Sequence, residues 1–127
     1  MRAKVNQNIN LDDYKNVWVI AEQWQGVIAP VTIELIGEGR KLANVLGKEL
    51  MVVVAGYDMD AEVEKLLHYG VDKVYYLKHE LLQAFSTDGY VKSYADLIHD
   101  KKPEIVLVGA SSLGRDIGPR LAARIGT

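Results

Sequence analysis

Short apolar segments alternate with amphipathic segments along most of the chain. Four apolar runs are rich in β-branched residues and bounded by Gly, Pro, Asp or Lys, which predicts buried strands. These runs are residues 17–21, 50–55, 73–77 and 105–109. Between and after them, apolar side chains recur at helical spacing and predict helices over residues 30–46, 60–68, 90–98 and 115–124. Strand and helix therefore alternate four times.

Local signals at the helix ends agree with this pattern. Gly47 and Gly70 follow the first two predicted helices, where glycine favours a left-handed C-cap. Pro103 ends the third, and a turn signal at residues 86–89 precedes it. The alternation predicts an α/β fold, an open parallel sheet of Rossmann-like type with right-handed crossovers and helices on both faces. Four strands are few for such a sheet, so we expect that the chain is a fragment or that a partner completes the sheet edge.

Composition narrows the class of protein. The 127 residues are 49% hydrophobic and 25% charged, typical of one globular domain, with residues 1–15 as a polar leader and residues 16–127 as the α/β domain. The net charge of −2 offers no basic surface for nucleic acid, and the absence of cysteine excludes thiolate metal sites. No segment resembles a membrane span or a signal peptide. We therefore expect a cytoplasmic protein.

The segment after the fourth predicted strand is the strongest candidate ligand site. Ligands of parallel sheets bind beyond the carboxyl ends of the strands, where small residues let the backbone approach an anion. Gly109 and Gly114 have the spacing of a phosphate-binding loop, but Arg115 and Asp116 replace its Lys-Ser/Thr pair, which excludes an NTPase. A small-residue turn that only packs helix on strand is the alternative. The candidate cofactor contacts are Ser111, Ser112, Gly114 and Arg115.

The loop after the first predicted strand is a candidate protein interface. It carries Trp24, Val27 and Ile28, and apolar loop residues favour a partner surface. The alternative is that they fold back onto the first helix. Arg115 and Arg120 are further interface candidates. No arrangement of residues in the sequence composes a catalytic site or a metal site.

Three segments together carry a resemblance to a known family. Residues 16–22 (NVWVIAE) with residues 30–35 (PVTIEL), and residues 65–74 (KLLHYGVDKV), resemble the electron transfer flavoprotein alpha subunit. Residues 103–127 (PEIVLVGASSLGRDIGPRLAARIGT) are the most specific part, similar to the family run GATxxGRDLAPRxAARLxTG. The resemblance extends from about residue 16 to the end of the sequence.

The resemblance implies a scaffold in an electron-transfer complex. Family members are longer, and their FAD-binding signature lies in a C-terminal domain that this sequence does not contain. The chain would then be the N-terminal domain, with an adenine nucleotide alpha hydrolase-like fold. Its implied partners are a beta subunit, which holds AMP or a second FAD, and an acyl-CoA or other dehydrogenase. Residues 21–26 (AEQWQG) and the polar leader look more like the bacterial, anaerobic type that bifurcates electrons with NADH than the mitochondrial type.

Two other functions are weighed against this one. A freestanding adenine-nucleotide-binding module of the universal-stress type would place phosphates on residues 109–118. That family expects a further pair of small residues where this chain has Arg124 and Ile125. An ATP-pyrophosphatase needs a Ser-Gly-Gly loop after the first strand, where this chain has Glu22, Gln23 and Trp24.

Overall fold

The computed structural model describes residues 14–78 and 87–109, together with Ala122. The strands in this part of the chain are β1 (Val17–Ile20), β2 (Gln23–Trp24), β3 (Val27–Ile28), β4 (Leu50–Gly56), β5 (Lys73–Lys78) and β6 (Ile105–Leu107). The helices are α1 (Pro30–Leu46), α2 (Asp60–Leu66) and α3 (Thr87–Lys101), and a 3₁₀ helix at Leu67–Tyr69 follows α2.

Four strands form a parallel sheet in the order β5-β4-β1-β6. In the centre, Val19 of β1 pairs with Val52 on one side and with Leu107 on the other. The chain passes from β1 to β4 and β5, and then returns across the sheet to place β6 on the opposite side of β1. The predicted parallel α/β sheet is confirmed.

Helices cover both faces of the sheet. On one face Val17 and Val19 share a buried cluster with Ile36 and Ala43 of α1. On the other face Trp18 and Ile20 join a cluster that contains residues of α3. Successive residues of a strand point to opposite faces, so β1 is buried on both sides and its four apolar residues supply both cores.

Element boundaries differ from the prediction at two helices and at β6, which ends at Leu107, two residues before the predicted end at residue 109. The second helix ends at Leu66 and continues as the 3₁₀ turn, instead of remaining α-helical to residue 68. In the described residues α3 begins at Thr87, so most of the predicted turn at residues 86–89 is helical. Thr, Asp and Gly are turn formers that also occur at helix starts, which makes this signal ambiguous. The predicted helix at residues 115–124 lies outside the described residues, except for Ala122, which is helical.

One residue joins the amino ends of three strands. Asn16 has a left-handed backbone with φ of 80°, a conformation that asparagine tolerates better than most residues. Its Oδ1 accepts a hydrogen bond of 3.1 Å from the N–H of Glu49, just before β4. Its carbonyl accepts one of 2.9 Å from the N–H of Glu104, just before β6. The starts of β1, β4 and β6 are thereby aligned.

The carboxylate of Asp72 bonds to two neighbouring elements at the same end of the sheet. Asp72 Oδ2 accepts a hydrogen bond of 2.7 Å from the N–H of Leu50 and lies 3.0 Å from Arg40 Nη1. The hydrogen bond from Leu50 and the nearby Arg40 guanidinium lower the pKa of Asp72. Arg40 also donates to the carbonyl of Gly70, at 2.9 Å. The Arg40 side chain therefore connects α1 to the loop before β5.

Two glycines of α1 are expected to respond differently to alanine. A Cβ on Gly37 would meet no atom within 4 Å, so Gly37→Ala should stabilise the chain by about 1 kcal/mol through helix propensity. A Cβ on Gly39 would lie 2.8 Å from Leu50 Cδ1 and 3.3 Å from Val19 Cγ2, both buried. Gly39→Ala should lose about 1–3 kcal/mol relative to Gly37→Ala because of overpacking. Urea unfolding measures both, and equal effects would contradict the close packing of α1 on β1.

Stability is expected to fall in acid because of Asp72. Its pKa is lowered in the folded chain, so its contribution is present above the unfolded-state pKa, near 3.8, and is lost as pH falls through the folded pKa. Asp72→Asn should reduce stability at neutral pH and flatten the acid part of the curve. Melting temperatures between about pH 6 and pH 2 test this. Asp58→Asn, at an exposed carboxylate, is the control and should retain the acid slope.

Candidate functional site

The candidate site lies where β1 and β6 end side by side. The chain leaves β1 toward α1 and β4 on one side, whereas β6 was reached from β5 by the return crossover. Such a reversal of strand order opens a crevice at the carboxyl ends of the two strands, which is where open α/β sheets bind ligands. Glu22 follows β1 at this point, and Gly109 follows β6. Both residues are buried.

The side chain of Glu22 occupies the space above Gly109. A Cβ atom placed on Gly109 would lie 2.7 Å from Glu22 Oε1 and 3.1 Å from Val31 Cγ2. A glycine is therefore required at this position because of close approach, as the sequence suggested in general terms for the segment. Glu22 as a whole is only 5% exposed. A carboxyl group of the same chain thus occupies the space beside Gly109.

The backbone of Glu22 is bonded to α1. Its N–H donates to Thr32 Oγ1 at 2.9 Å, and the Thr32 hydroxyl reaches back to the carbonyl of Glu22 at 3.3 Å. The same carbonyl accepts a hydrogen bond of 2.8 Å from the N–H of Ala29. Thr32 is fully buried, so these bonds are shielded from water. They fix the path of the chain both as it leaves β1 and as it enters α1.

Buried aromatic residues of α3 lie next to this point. Burial raises the pKa of Tyr94, and the nearby Tyr90 and the negative charge of Glu22 act in the same direction. The rings of Tyr90 and Tyr94 have centroids 6.1 Å apart. Burial also raises the pKa of Tyr90, against a smaller opposing effect of its hydrogen bond with Gln23. Both phenols therefore stay protonated over the physiological range.

Between Glu22 and Ala29 the chain forms a two-stranded hairpin, where the sequence predicted an irregular loop. Strands β2 and β3 pair antiparallel, with Gln23 opposite Ile28 and Trp24 opposite Val27. The turn residues Gln25 and Gly26 have φ of 51° and 82°. Two successive positive φ angles are typical of a type I′ turn, whose twist matches that of hairpin strands.

The hairpin has one exposed apolar face and one face bonded to the domain. Trp24 is 69% exposed and Val27 is 61% exposed, and because they are paired residues they lie on the same face. We call this pair the Trp24–Val27 face. On the other face Gln23 Nε2 donates to Tyr90 Oη at 2.8 Å. Ile28 is half-buried and packs against the core on the α1 side.

A second contact joins the hairpin to α2. The N–H of Ile28 donates to Glu62 Oε1 at 2.9 Å. Lys65 Nζ lies 2.7 Å from the other oxygen of Glu62. The hydrogen bond from Lys65 lowers the pKa of the Glu62 carboxyl most, and the hydrogen bond from the N–H of Ile28 lowers it further. Glu62 is therefore ionised near neutral pH, which strengthens its hydrogen bond to the hairpin. The hairpin is anchored to α2 and α3 while its outer face stays open.

The predicted site residues divide into two groups. Trp24 and Val27 are exposed together, as expected for an interface, whereas Ile28 turns toward the core. The predicted contacts Ser111, Ser112, Gly114, Arg115 and Arg120 lie outside the described residues. The roles of Glu22, Thr32 and Tyr90 were not predicted, because their contacts join positions far apart in the sequence and leave no local pattern.

The described residues contain neither a cluster of metal-ligating side chains nor a helix fit to span a membrane. Within residues 14–78 and 87–109, no group of three or more His, Asp or Glu side chains could hold a metal ion. Among the helices described, none combines the length and the apolar character that crossing a membrane requires. At the end of β1, the described residues place the Glu22 side chain against Gly109, beside an exposed apolar hairpin.

Comparison with known proteins gives a consistent set of relatives. The family model of the electron transfer flavoprotein domain matches residues 17–127. The chain is 48% identical over 119 residues to the electron transfer flavoprotein subunit alpha of Clostridium acetobutylicum, covering 94% of this chain and 35% of the relative. It is 43% identical to the protein FixB of Clostridium saccharobutylicum, again covering 94% of this chain and 35% of the relative.

A third relative has a different name. The acryloyl-CoA reductase electron transfer subunit beta of Anaerotignum propionicum is 39% identical, over 93% of this chain and 32% of the relative. The chain thus spans about a third of the length of the curated relatives it matches. The predicted resemblance is confirmed at the level of the family.

Removing the Thr32 hydroxyl is expected to destabilise the site. Thr32→Val keeps the shape of the side chain but leaves the buried N–H of Glu22 without its acceptor, which should cost about 1–3 kcal/mol. Thr32→Ser retains the hydroxyl and should lose less, about 0.8 kcal/mol for one methyl group. Urea unfolding followed by tryptophan fluorescence measures both. If the two variants were equally stable, the hydrogen bond would not be what fixes this junction.

Proposed function

Because the chain belongs to the electron transfer flavoprotein domain family, we propose that it is the N-terminal part of an alpha subunit of such a flavoprotein. The alpha subunits of Clostridium acetobutylicum and Thermoanaerobacterium thermosaccharolyticum, at 48% and 39% identity, support this assignment. In this proposal the chain is a scaffold and partner-binding domain. It holds redox centres at a fixed separation and makes or breaks no bond itself.

The proposed complex contains a beta subunit and a flavin. FAD is bound by the part of the longer protein that this chain does not span, and AMP or a second FAD is bound by the beta subunit. The electrons pass to or from an acyl-CoA dehydrogenase or another dehydrogenase, and a relative named as an electron transfer subunit of acryloyl-CoA reductase supports that class. The bacterial origin of the relatives supports a location in the bacterial cytoplasm.

The Trp24–Val27 face is the single observation that carries the partner-binding role. An exposed tryptophan paired with an exposed valine leaves a contiguous apolar surface in water, which is typical of a protein interface. Tryptophan is also the residue most often found at the energetic centre of interfaces. The bonds from Gln23 to Tyr90 and from Ile28 to Glu62 keep the hairpin ordered before binding, so less conformational entropy is lost on association.

The loop after β4 lies beside the inner face of the hairpin. A Cβ on Gly56 would lie 3.6 Å from Gln23 Nε2, so the end of β4 reaches the base of the hairpin. Gln23 lies on the face opposite Trp24 and Val27, so this contact supports the hairpin from the domain side. The predicted contributions of Arg115 and Arg120, and the alternative of a nucleotide-binding module with phosphates on residues 109–118, stay predictions because those residues lie outside the described part.

Partner binding is expected to depend on the hairpin. With an electron transfer flavoprotein beta subunit as the partner, Trp24→Ser should weaken the complex by about 2 kcal/mol, or about 30-fold in Kd. Val27→Ser should have a smaller effect in the same direction. Val45→Ser is the matched control, because it makes the same substitution as Val27→Ser at a valine of α1 that is 85% exposed. Affinity is measured by calorimetry, and flavin in the purified complex by its visible absorption.

The outcomes separate the two parts of the proposal. Failure of the unmodified chain to bind any beta subunit would reject the scaffold role. Binding that Trp24→Ser and Val27→Ser leave unchanged, at the level of Val45→Ser, would retain the scaffold role and reject the Trp24–Val27 face as its docking surface.

A further inference from the structure

The crevice at the ends of β1 and β6 and the Trp24–Val27 face share one residue. Glu22 is the last residue before the hairpin, and its backbone makes the bonds to Thr32 and Ala29 that close the hairpin base. Its side chain extends in the other direction, into the crevice above Gly109. Glu22 therefore links the two features, because its backbone fixes the start of the hairpin and its side chain lies in the crevice.

The carboxylate of Glu22 lies in a confined space beside Gly109. A Cβ on Gly109 would lie 2.7 Å from Glu22 Oε1 and 3.1 Å from Val31 Cγ2, so Glu22 and Val31 border the same small volume. Glu22 as a whole is 5% exposed. A side chain enclosed in this way has little freedom to rotate, so it can serve as a fixed support for the residues that follow it.

The same carboxylate makes the crevice a poor site for phosphate. Ligand phosphates of related sheet topologies bind at the carboxyl ends of the strands, against the backbone of small residues. Here a carboxyl group, on a residue only 5% exposed, already lies against the only glycine of the described crevice. A phosphate at this position would meet a steric conflict with the Glu22 side chain.

We propose that Glu22 is a positioning residue, whose carboxylate fills the ligand crevice and thereby anchors the hairpin that carries the Trp24–Val27 face. The crevice serves this domain as an internal anchor and not as a phosphate site. This role concerns the unbound chain, and it stands whether or not the face binds a beta subunit.

The two tryptophans of the chain allow a direct test. Trp24 lies on the hairpin, and Trp18, buried in the centre of the sheet, is an internal control for the fold. Incorporation of 5-fluorotryptophan gives one ¹⁹F NMR signal for each, assigned with Trp24→Phe. The variants are Glu22→Ala, which empties the crevice, Gly109→Ala, which displaces the carboxylate, and Glu22→Gln, which fills the same volume. Glu34→Gln, at an exposed position of α1, controls for the loss of one charge.

The expected result is selective loss of order at the hairpin. Glu22→Ala and Gly109→Ala should move the Trp24 signal toward its position in urea and leave the Trp18 signal in place. Glu22→Gln and Glu34→Gln should leave both signals near those of the unmodified chain. An unchanged Trp24 signal in both alanine variants would overturn the proposal. A shift of Trp18 as large as that of Trp24 would also overturn it, because the carboxylate would then support the whole sheet.

Phosphate binding is tested on the unmodified chain. Inorganic phosphate and AMP at millimolar concentration should leave both ¹⁹F signals and the melting temperature unchanged. A saturable shift of the Trp24 signal with AMP or phosphate would overturn the proposal, since the crevice would then accept an anion beside Glu22.

Discussion

Burial of the short central strand on both faces is the constraint on which the described structure depends. Residues Val17–Ile20 pair with β4 on one side and β6 on the other, and their side chains enter the two cores alternately. Every described helix packs on a sheet that this strand centres. The close approach of α1, which requires Gly39, and the alignment of strand starts by Asn16 follow from its position. Substitutions in β1 are therefore expected to affect the packing on both faces of the sheet.

The main strands and helices could be predicted from sequence because their apolar spacing is regular over several residues. The hairpin at Gln23–Ile28 could not, since strands of two residues show no alternation and Gln25-Gly26 is a less familiar turn pair than Asn-Gly. The sequence indicated the apolar character of the loop with Trp24 and Val27 but not that Ile28 faces inward. The contact between Glu22 and Gly109 joins distant segments, and no local pattern reports it.

The two parts of the site have different surroundings. At the strand ends, the Glu22 side chain lies against Gly109. The hairpin beside it projects two apolar side chains away from the domain and returns its polar groups to α2 and α3. This division supports the proposed role in partner binding, because the exposed apolar surface lies on a hairpin that is anchored to the domain.

The pairing of β1 with β6 has a consequence for the synthesis of the chain. Val17 is made early and pairs with Leu50 soon afterwards, but its other partner, Ile105, leaves the ribosome much later. Until then one edge of β1, whose four residues are all apolar, has no neighbour, and exposed strand edges recruit other chains. Pairing between segments far apart in sequence is also slow to form. Nascent chains of this topology therefore pass through an interval of increased dependence on chaperones, which ends when β6 docks.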